Sequence, residues 1–344
     1  MKKLNFAIIG CGRISLKHTE NLKNKLKKAH LVSVCDIVEA KARKLGELYK
    51  VNWYTSYDEM LQTEQIDVVC ILTESGNHAK HTIDVLRKYS KHVVVEKPMA
   101  LTIEDADAMI ETAKNVNKKL FVVKQNRYNL PVTKLRQAID DNRFGKLIMG
   151  TVRVRWCRTQ DYYNLDPWRG TYELDGGVFT NQASHHIDLL EWMLGEPTEV
   201  FAKGKTFLAD IETEDTGVAV ITFKSGAIGI VEATTATRPN DLEGSISILG
   251  ENGSVVIAGF AVNEMQTWSF SNKLPGDDDV LRLYRENPPD VYGFGHLKYL
   301  ENVCDVILED EKPCVDGAEG KKSIILINAI YDSMKSKKEV PVKM

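Results

Sequence analysis

Gly10-Cys11-Gly12-Arg13-Ile14-Ser15 follows the apolar run Phe6 to Ile9 and opens a stretch with helical spacing. In a strand-turn-helix setting Gly10 permits a tight turn and Gly12 lets backbone approach a pyrophosphate. Ser15, small where a GxGxxG pattern has its third glycine, still allows close helix packing. Asp36 ends the second apolar run, 21 residues beyond Ser15. A carboxylate there accepts hydrogen bonds from ribose hydroxyls and repels a 2′-phosphate, which predicts NAD rather than NADP. Val93-Val94-Val95-Glu96-Lys97-Pro98 sets a lysine at the carboxyl end of another predicted strand, where open α/β sheets bind their ligands.

Asn181, His185 and Asp188 fall at i, i+4 and i+7, with Ala183, Ile187, Leu190 and Leu194 opposite. That spacing predicts a buried helix presenting a polar triplet. In a chain read to bind NAD, a histidine can act as a base and a lysine can meet developing negative charge. His185 and Lys97 have the right chemistry for these roles, whereas His186 beside them reads as structural. Arg155-Trp156-Cys157-Arg158-Thr159-Gln160-Asp161-Tyr162-Tyr163 and Trp168-Arg169 concentrate arginines and aromatics just before this segment. Aromatic faces suit sugar or nucleobase rings, and arginines bind carboxylate and pyrophosphate oxygens in bidentate fashion. Arg155, Arg158, Tyr162, Tyr163, Asn181 and Gln182 are therefore substrate-binding candidates, together with Lys97 and His185.

Such residues need a scaffold, and 344 residues exceed the size at which one core keeps growing, so two domains are expected. Short apolar runs at Phe6–Ile9, Leu31–Cys35, Val68–Leu72, Val93–Val95 and Leu120–Val123 alternate with helical patterns, which predicts a buried parallel sheet. Thr102 to Val116 is one such helix, with Thr102 and Asp105 forming a capping box. After about residue 145 the texture changes to alternating strands, Leu147–Arg158, Gly217–Lys224 and Ala227–Thr234, with turns at Ser225-Gly226 and Asn252-Gly253. Helices at Ser184–Leu194, His296–Leu308 and Glu319–Met334 are expected to cover one face of the resulting sheet. The expectation is an α/β chain: a dinucleotide-binding domain over 1–124, then an α+β domain over 125–344 with a mostly antiparallel open sheet that binds substrate and mediates oligomerisation. Pro275–Asp279 and Pro288–Asp290 read as mobile loops.

Strand-Glu96-Lys97-Pro98 after this glycine fingerprint, together with Asp175-Gly176-Gly177-Val178-Phe179-Thr180-Asn181-Gln182-Ala183-Ser184-His185-His186-Ile187-Asp188, resembles the signatures of the Gfo/Idh/MocA oxidoreductase family. The resemblance spans nearly the whole chain and implies a Rossmann domain for NAD. It puts Lys97 between nicotinamide and the reacting hydroxyl, and His185 on the catalytic helix. The cofactor set it implies is Gly10, Gly12, Arg13, Ile14, Asp36, Thr73, Asn77, His78, Glu96, Lys97, Gln125, Trp168 and Arg169. Many family members carry aspartate where this chain has Asn181, which leaves histidine as the better base.

The run from Trp156 through Trp168-Arg169-Gly170-Thr171 to His185 resembles the UDP-N-acetyl-2-amino-2-deoxyglucuronate dehydrogenase branch. That branch implies oxidation of the C3 hydroxyl of a UDP-linked acetamido-uronic acid to a 3-keto sugar for surface polysaccharide synthesis. A downstream aminotransferase as pathway partner and a homotetramer are further implications. The same fold also hosts inositol and other polyol dehydrogenases, NAD-dependent glycosidases and a non-catalytic dinucleotide sensor; Lys97 and His185 together argue against the last.

A net charge of -3 gives no electrostatic footprint for nucleic acid or an anionic membrane surface. No segment reads as a secretory leader or a membrane span, so a soluble cytoplasmic protein is expected. Six cysteines, scattered singly with no CxxC pair, read as reduced thiols. His78 and His81 lack an acidic or cysteine partner nearby in sequence, so no metal is expected.

Overall fold

The computed structural model describes residues 2–286, 288 and 292–344. Its chain divides into two compact units, one running to Lys124 and resumed by His296–Ile324, the other comprising Gln125–Gly295 and Ile325–Met344.

The first unit is built on six strands, β1 (Leu4–Ile9), β2 (Ala29–Cys35), β3 (Asn52–Tyr54), β4 (Val68–Ile71), β5 (His92–Val95) and β6 (Leu120–Val122). All pairings are parallel, in the order β3-β2-β1-β4-β5-β6. Four apolar residues of β4 and the three valines of β5 are fully buried, as a sheet covered on both faces demands. The helix Ile103–Asn115 starts where Thr102 accepts the Asp105 amide N–H at 3.1 Å. The strand order reverses between β1 and β4, so the carboxyl ends of β1, β4 and β5 border the crevice of a doubly wound sheet.

Residues 296–324 pack with this unit, whereas the sequence reading placed the helix over 296–308 on the second sheet. The reason is local complementarity that spacing does not reveal. Val122 donates its amide to the Val315 carbonyl, and Phe121 pairs with Asp316. Gly320 lies so close to β6 that a Cβ there would meet Val122 at 2.5 Å. Lys28 reaches Asp305 and Glu309 on the helix Gly295–Glu309, and Lys124 Nζ donates to Ser323 Oγ at 2.6 Å.

The second unit carries an eight-stranded sheet. Its strands are β7 (Leu147–Arg155), β8 (Pro197–Lys205), β9 (Thr216–Phe223), β10 (Ile228–Thr234), β11 (Glu243–Gly250), β12 (Gly253–Ala258), β13 (Glu264–Phe270) and β14 (Val340–Pro341). The order is β13-β12-β11-β7-β10-β9-β8-β14, and only β7 with β10 is parallel. The helix Ser184–Leu194 lies on one face. Gly150 of β7 admits it, since a Cβ there would meet Leu190 at 2.8 Å and Leu194 at 2.9 Å. The other face leaves Val218, Val220 and Ile228 between 44% and 48% exposed. The loop at Pro275–Asp279 is tied down by Arg143, which donates twice to the Asp277 carboxylate at 2.7 and 2.9 Å. Of the second expected mobile loop, Pro289 and Asp290 lie outside the described residues.

All six cysteines are free thiols. Among the described residues, no helix is long and apolar enough to cross a membrane.

Candidate active site

The first unit gathers its chemistry at the carboxyl ends of β1, β2, β4 and β5. Gly10 has φ +99°, and a Cβ there would meet the Leu72 carbonyl at 2.6 Å and the Thr73 nitrogen at 2.8 Å, so only glycine lets the first turn sit on the end of β4. Gly12 by contrast faces open space, with nothing within 4 Å of an added Cβ. Ser15 is buried and its Oγ donates to the Gly12 carbonyl at 2.6 Å, locking the turn from beneath. Asp36 accepts the backbone N–H of Cys11 and of Val38, each at 2.8 Å, so its carboxylate is fixed beside the turn. Arg13 and Ile14 continue the turn, Arg13 exposed and Ile14 half-buried. A glycine turn with one face bare and a carboxylate beside it fits a dinucleotide pyrophosphate and ribose.

The Glu96 side chain turns inward. Its Oε2 accepts the Lys97 backbone N–H at 3.0 Å, while Oε1 is 2.9 Å from His18 Nε2 and 3.5 Å from His296 Nε2. Burial alone would push the carboxyl up, but hydrogen bonds and charge from the two histidines hold it well below the ordinary carboxylate range. Among the described residues this is the group of three whose ligand atoms lie within metal-binding reach, 4.8 Å of one another, and sequence spacing, which draws attention to His78 and His81, does not announce it, since His18 and Glu96 are 78 residues apart. Within it, His18 and Glu96 share a direct 2.9 Å histidine–carboxylate hydrogen bond. His78 is also buried, its Nδ1 2.7 Å from the Pro98 carbonyl and its Nε2 3.0 Å from the Thr73 carbonyl, so its ring ties the loop after β4 to the loop after Lys97. Thr73 Oγ1 meets His81 Nδ1 at 3.1 Å, and Asn77 binds Glu74.

The second unit carries its own group of candidate residues. His185 is the second residue of the helix Ser184–Leu194 and is 8% exposed. The helical register expected between Asn181 and His185 does not hold, because Val178–Gln182 forms a wider turn that ends before the helix begins. Asn181 instead donates to Asp175, whose other oxygen accepts the Gly170 N–H at 2.7 Å. Gln182 Nε2 donates to Asn181 Oδ1 at 2.8 Å and to the Tyr162 hydroxyl at 3.3 Å. Arg169 donates to that hydroxyl at 2.8 Å and to Asp166 at 3.3 Å, with its guanidinium 4.5 Å from the Tyr162 ring and 4.4 Å from the Trp168 ring. A continuous polar chain thus runs Asp175–Asn181–Gln182–Tyr162–Arg169.

The glycine turn before that helix is clamped by Glu214 and Tyr331. A Cβ on Gly177 would fall 2.0 Å from Glu214 Oε2, and Tyr331 donates to Glu214 Oε1 at 2.9 Å while accepting from the Gly177 N–H and Thr180 Oγ1. Burial pushes the Glu214 carboxyl up. Neither residue carries a motif that the sequence reading could have used. Gln125, buried, has an Oε1 without a hydrogen-bond partner among the described residues, the kind of orphaned acceptor a ligand satisfies.

Of the remaining candidates, Arg155 lies apart, whereas Arg158 and Tyr163 pack against Tyr162. Arg155 alternates with the helix-facing Val154 and points to the sheet's other face, where Glu232 binds it at 2.6 and 2.8 Å and Glu243 at 3.1 Å. Arg158 is held by Asp241 at 2.9 Å and lies over Trp156 and Tyr162. Tyr163 is buried with its hydroxyl 3.0 Å from Thr235 Oγ1.

A doubly wound parallel sheet with a glycine turn and ribose acid, in one chain with an open, mostly antiparallel sheet carrying a buried histidine helix, defines a two-domain NAD-dependent oxidoreductase. Residues 4–124 match the oxidoreductase family NAD-binding Rossmann fold and residues 132–256 the GFO/IDH/MocA C-terminal domain. The chain belongs to the Gfo/Idh/MocA family. It is similar to the WlbA dehydrogenase from Bordetella pertussis in complex with NADH and UDP-GlcNAcA, with 38% identity over 100% of both chains and a TM-score of 0.92. The corresponding Chromobacterium violaceum complex gives 40% identity over 100% of this chain and 97% of that one, with a TM-score of 0.93. Myo-inositol 2-dehydrogenase of Thermotoga maritima is 29% identical over 99% of each chain.

Proposed function

We propose that this enzyme oxidises the C3 hydroxyl of UDP-N-acetylglucosaminuronic acid to the 3-keto sugar. The observation that carries the reading is similarity of 38% and 40% identity along the full chain to two dehydrogenases held with NADH and UDP-GlcNAcA. An inositol or other polyol dehydrogenase is the second reading, favoured by the full-length Thermotoga maritima relative.

NAD, when bound, supplies the hydride acceptor, and Gly10, Gly12 and Asp36 are the groups that hold it, with Arg13, Ile14, Thr73, Asn77, Gln125, Trp168 and Arg169 around it. His185 takes the hydroxyl proton, and Lys97 meets the developing alkoxide with positive charge. The amide heads of Asn181 and Gln182, fixed by Asp175 and Tyr162, hold the sugar; Arg169 offers charge to an anionic group on the ligand. Arg155, already engaged by two carboxylates on the far sheet face, is left out of the substrate site.

The reading extends to a cytoplasmic step in surface polysaccharide synthesis, with an aminotransferase consuming the keto product. It also includes a homotetramer in which a second copy covers the open sheet face bearing Val218, Val220 and Ile228.

The test is NADH formation with UDP-N-acetylglucosaminuronic acid, UDP-N-acetylglucosamine and myo-inositol, with an aminotransferase present to draw off a keto product. Turnover confined to the nucleotide uronic acid and lost in Lys97→Ala and His185→Ala is the expected result. Turnover with inositol instead establishes the second reading.

A further inference from the structure

We infer that Glu96 is the positioning residue for Lys97, held in place by His18 and His296. The inference rests on the reading that Lys97 is the cation of the reaction, and the geometry comes from three separate stretches of one unit.

His18 is borne by the short helix that follows the glycine turn, Glu96 directly follows β5, and His296 lies at the start of the helix Gly295–Glu309 that returns to this unit. The three side chains are buried, with relative exposures of 0%, 8% and 1%. A carboxylate so enclosed is costly unless its oxygens are hydrogen-bonded. Here each oxygen has a donor: His18 Nε2 at 2.9 Å for Oε1, and the Lys97 backbone N–H at 3.0 Å for Oε2. The His18 and His296 rings meet edge to face at 5.3 Å, so neither can swing without displacing the other. The loop that begins at Lys97 is gripped a second time by His78, 2.7 Å from the Pro98 carbonyl. The backbone on both sides of the Lys97–Pro98 bond is therefore fixed by a buried side chain, which sets the origin of the lysine side chain. Because His18 belongs to the same helical turn as Ser15 beneath Gly12, the grip on Lys97 is anchored directly to the glycine turn.

A purely structural triad and a positioning triad differ in what happens when charge and shape are separated. Glu96→Gln keeps the size and one acceptor but removes the charge and one of the two acceptor oxygens. His18→Gln keeps a donor towards Oε1, and His18→Leu removes it.

Two measurements on the full-length enzyme test this. One is kcat and KM, with NADH affinity from fluorescence; the other is the acetylation rate of Lys97 by acetic anhydride, read by peptide mass spectrometry and independent of any substrate. The expected result in Glu96→Gln and His18→Leu is a fall in kcat of tenfold or more with KM and NADH affinity within threefold, and acetylation of Lys97 at least threefold faster as its setting loosens. His18→Gln is expected to restore both to within threefold of the parent. Wild-type kcat and Lys97 acetylation in Glu96→Gln overturn the inference, as does an equal defect in His18→Gln and His18→Leu. If either Glu96→Gln or His18→Leu fails to fold, the other read against His18→Gln decides. Faster Lys97 acetylation in an enzyme that turns over none of the three sugars leaves the positioning intact and sinks the substrate reading alone.

Discussion

Arg127 grips Asp188 through two parallel hydrogen bonds, Nε to Oδ2 and Nη2 to Oδ1, both 2.8 Å long, with only 2% and 1% of the two side chains exposed. Asp188 lies three residues beyond His185 on the same helix, and the guanidinium stacks 4.8 Å from Trp192 one turn further on. Removing one partner of such a pair leaves a charge buried alone, which costs about 3–5 kcal/mol, whereas replacing both with apolar residues is close to neutral. Arg127→Met is therefore expected to lower the urea midpoint sharply and Arg127→Met with Asp188→Leu to recover most of it. A double variant no more stable than the single one contradicts this account.

The two glycines of the first turn are expected to fail in different ways. Gly10→Ala meets the Leu72 carbonyl at 2.6 Å in a backbone conformation that disfavours side chains, so both stability and NAD binding should fall. Among the described residues Gly12→Ala meets nothing within 4 Å beyond its chain neighbours, so its melting temperature should stay within a degree or two of the parent while NAD affinity drops about tenfold or more, the methyl standing where pyrophosphate must approach. Calorimetric titration with NAD beside a thermal melt separates the two. An unchanged affinity in Gly12→Ala removes the cofactor from that face.

Asp36 makes a prediction about cofactor choice. Its carboxylate already accepts the Cys11 and Val38 amides at 2.8 Å, leaving its remaining lone pairs for a ribose and its charge against a 2′-phosphate. Asp36→Ser should keep a short acceptor near the turn, weaken NAD and narrow the preference over NADP by about tenfold, since the repulsive element is gone. The ratio of kcat/KM for the two cofactors reads this directly, and a ratio that does not move refutes the assignment.

What was legible in the sequence followed from local physics. The apolar runs of β1, β4 and β5, the Thr102 cap and the helix Ser184–Leu194 all depend on residues a few positions apart, and each appears where spacing put it. The site was legible only in part. Glu96 pairs with a histidine 78 residues away, and nothing in either neighbourhood announces the other. Spacing alone gives Asn181 a helical register with His185, but the wide turn Val178–Gln182, clamped by Glu214 and Tyr331, breaks that register and sends the amide to Asp175. Arg155 shows a third kind of loss. Composition marked it as an anion binder, and only the alternation of β7 reveals that its face of the sheet is not the one His185's helix covers.

That difference between arginines can be measured. Arg155→Met breaks a pairing with Glu232 and Glu243 at a partly exposed site and should leave KM for the sugar nucleotide within twofold. Arg169 is stacked between Trp168 and Tyr162 and linked through Tyr162 to Gln182 and Asn181, so Arg169→Met should raise the KM of cofactor or substrate roughly tenfold, the worth of a charge-assisted hydrogen bond. If the two variants exchange these phenotypes, the site has been built on the wrong face.

His186 sets an acid limit on stability. Both its ring nitrogens are buried without a hydrogen-bond partner among the described residues, with the ring edge-on to Trp156 at 5.8 Å. Burial pushes its imidazole down from 6.5 to about 3, so the folded chain keeps it neutral. Between those values the unfolded chain binds a proton that the folded chain does not, and protonation therefore favours unfolding. Stability should fall as pH drops from about 6.5 toward 3, by up to about 1.4 kcal/mol per pH unit from this one group. His92, brought down to about 4 chiefly by burial, adds in the same sense. His186→Leu removes the proton acceptor while keeping an apolar side chain in the same buried place. Its urea midpoint should therefore decline less than the parent's between about pH 7 and about pH 5. Parallel declines in the two proteins would mean that His186 takes up its proton within the folded state.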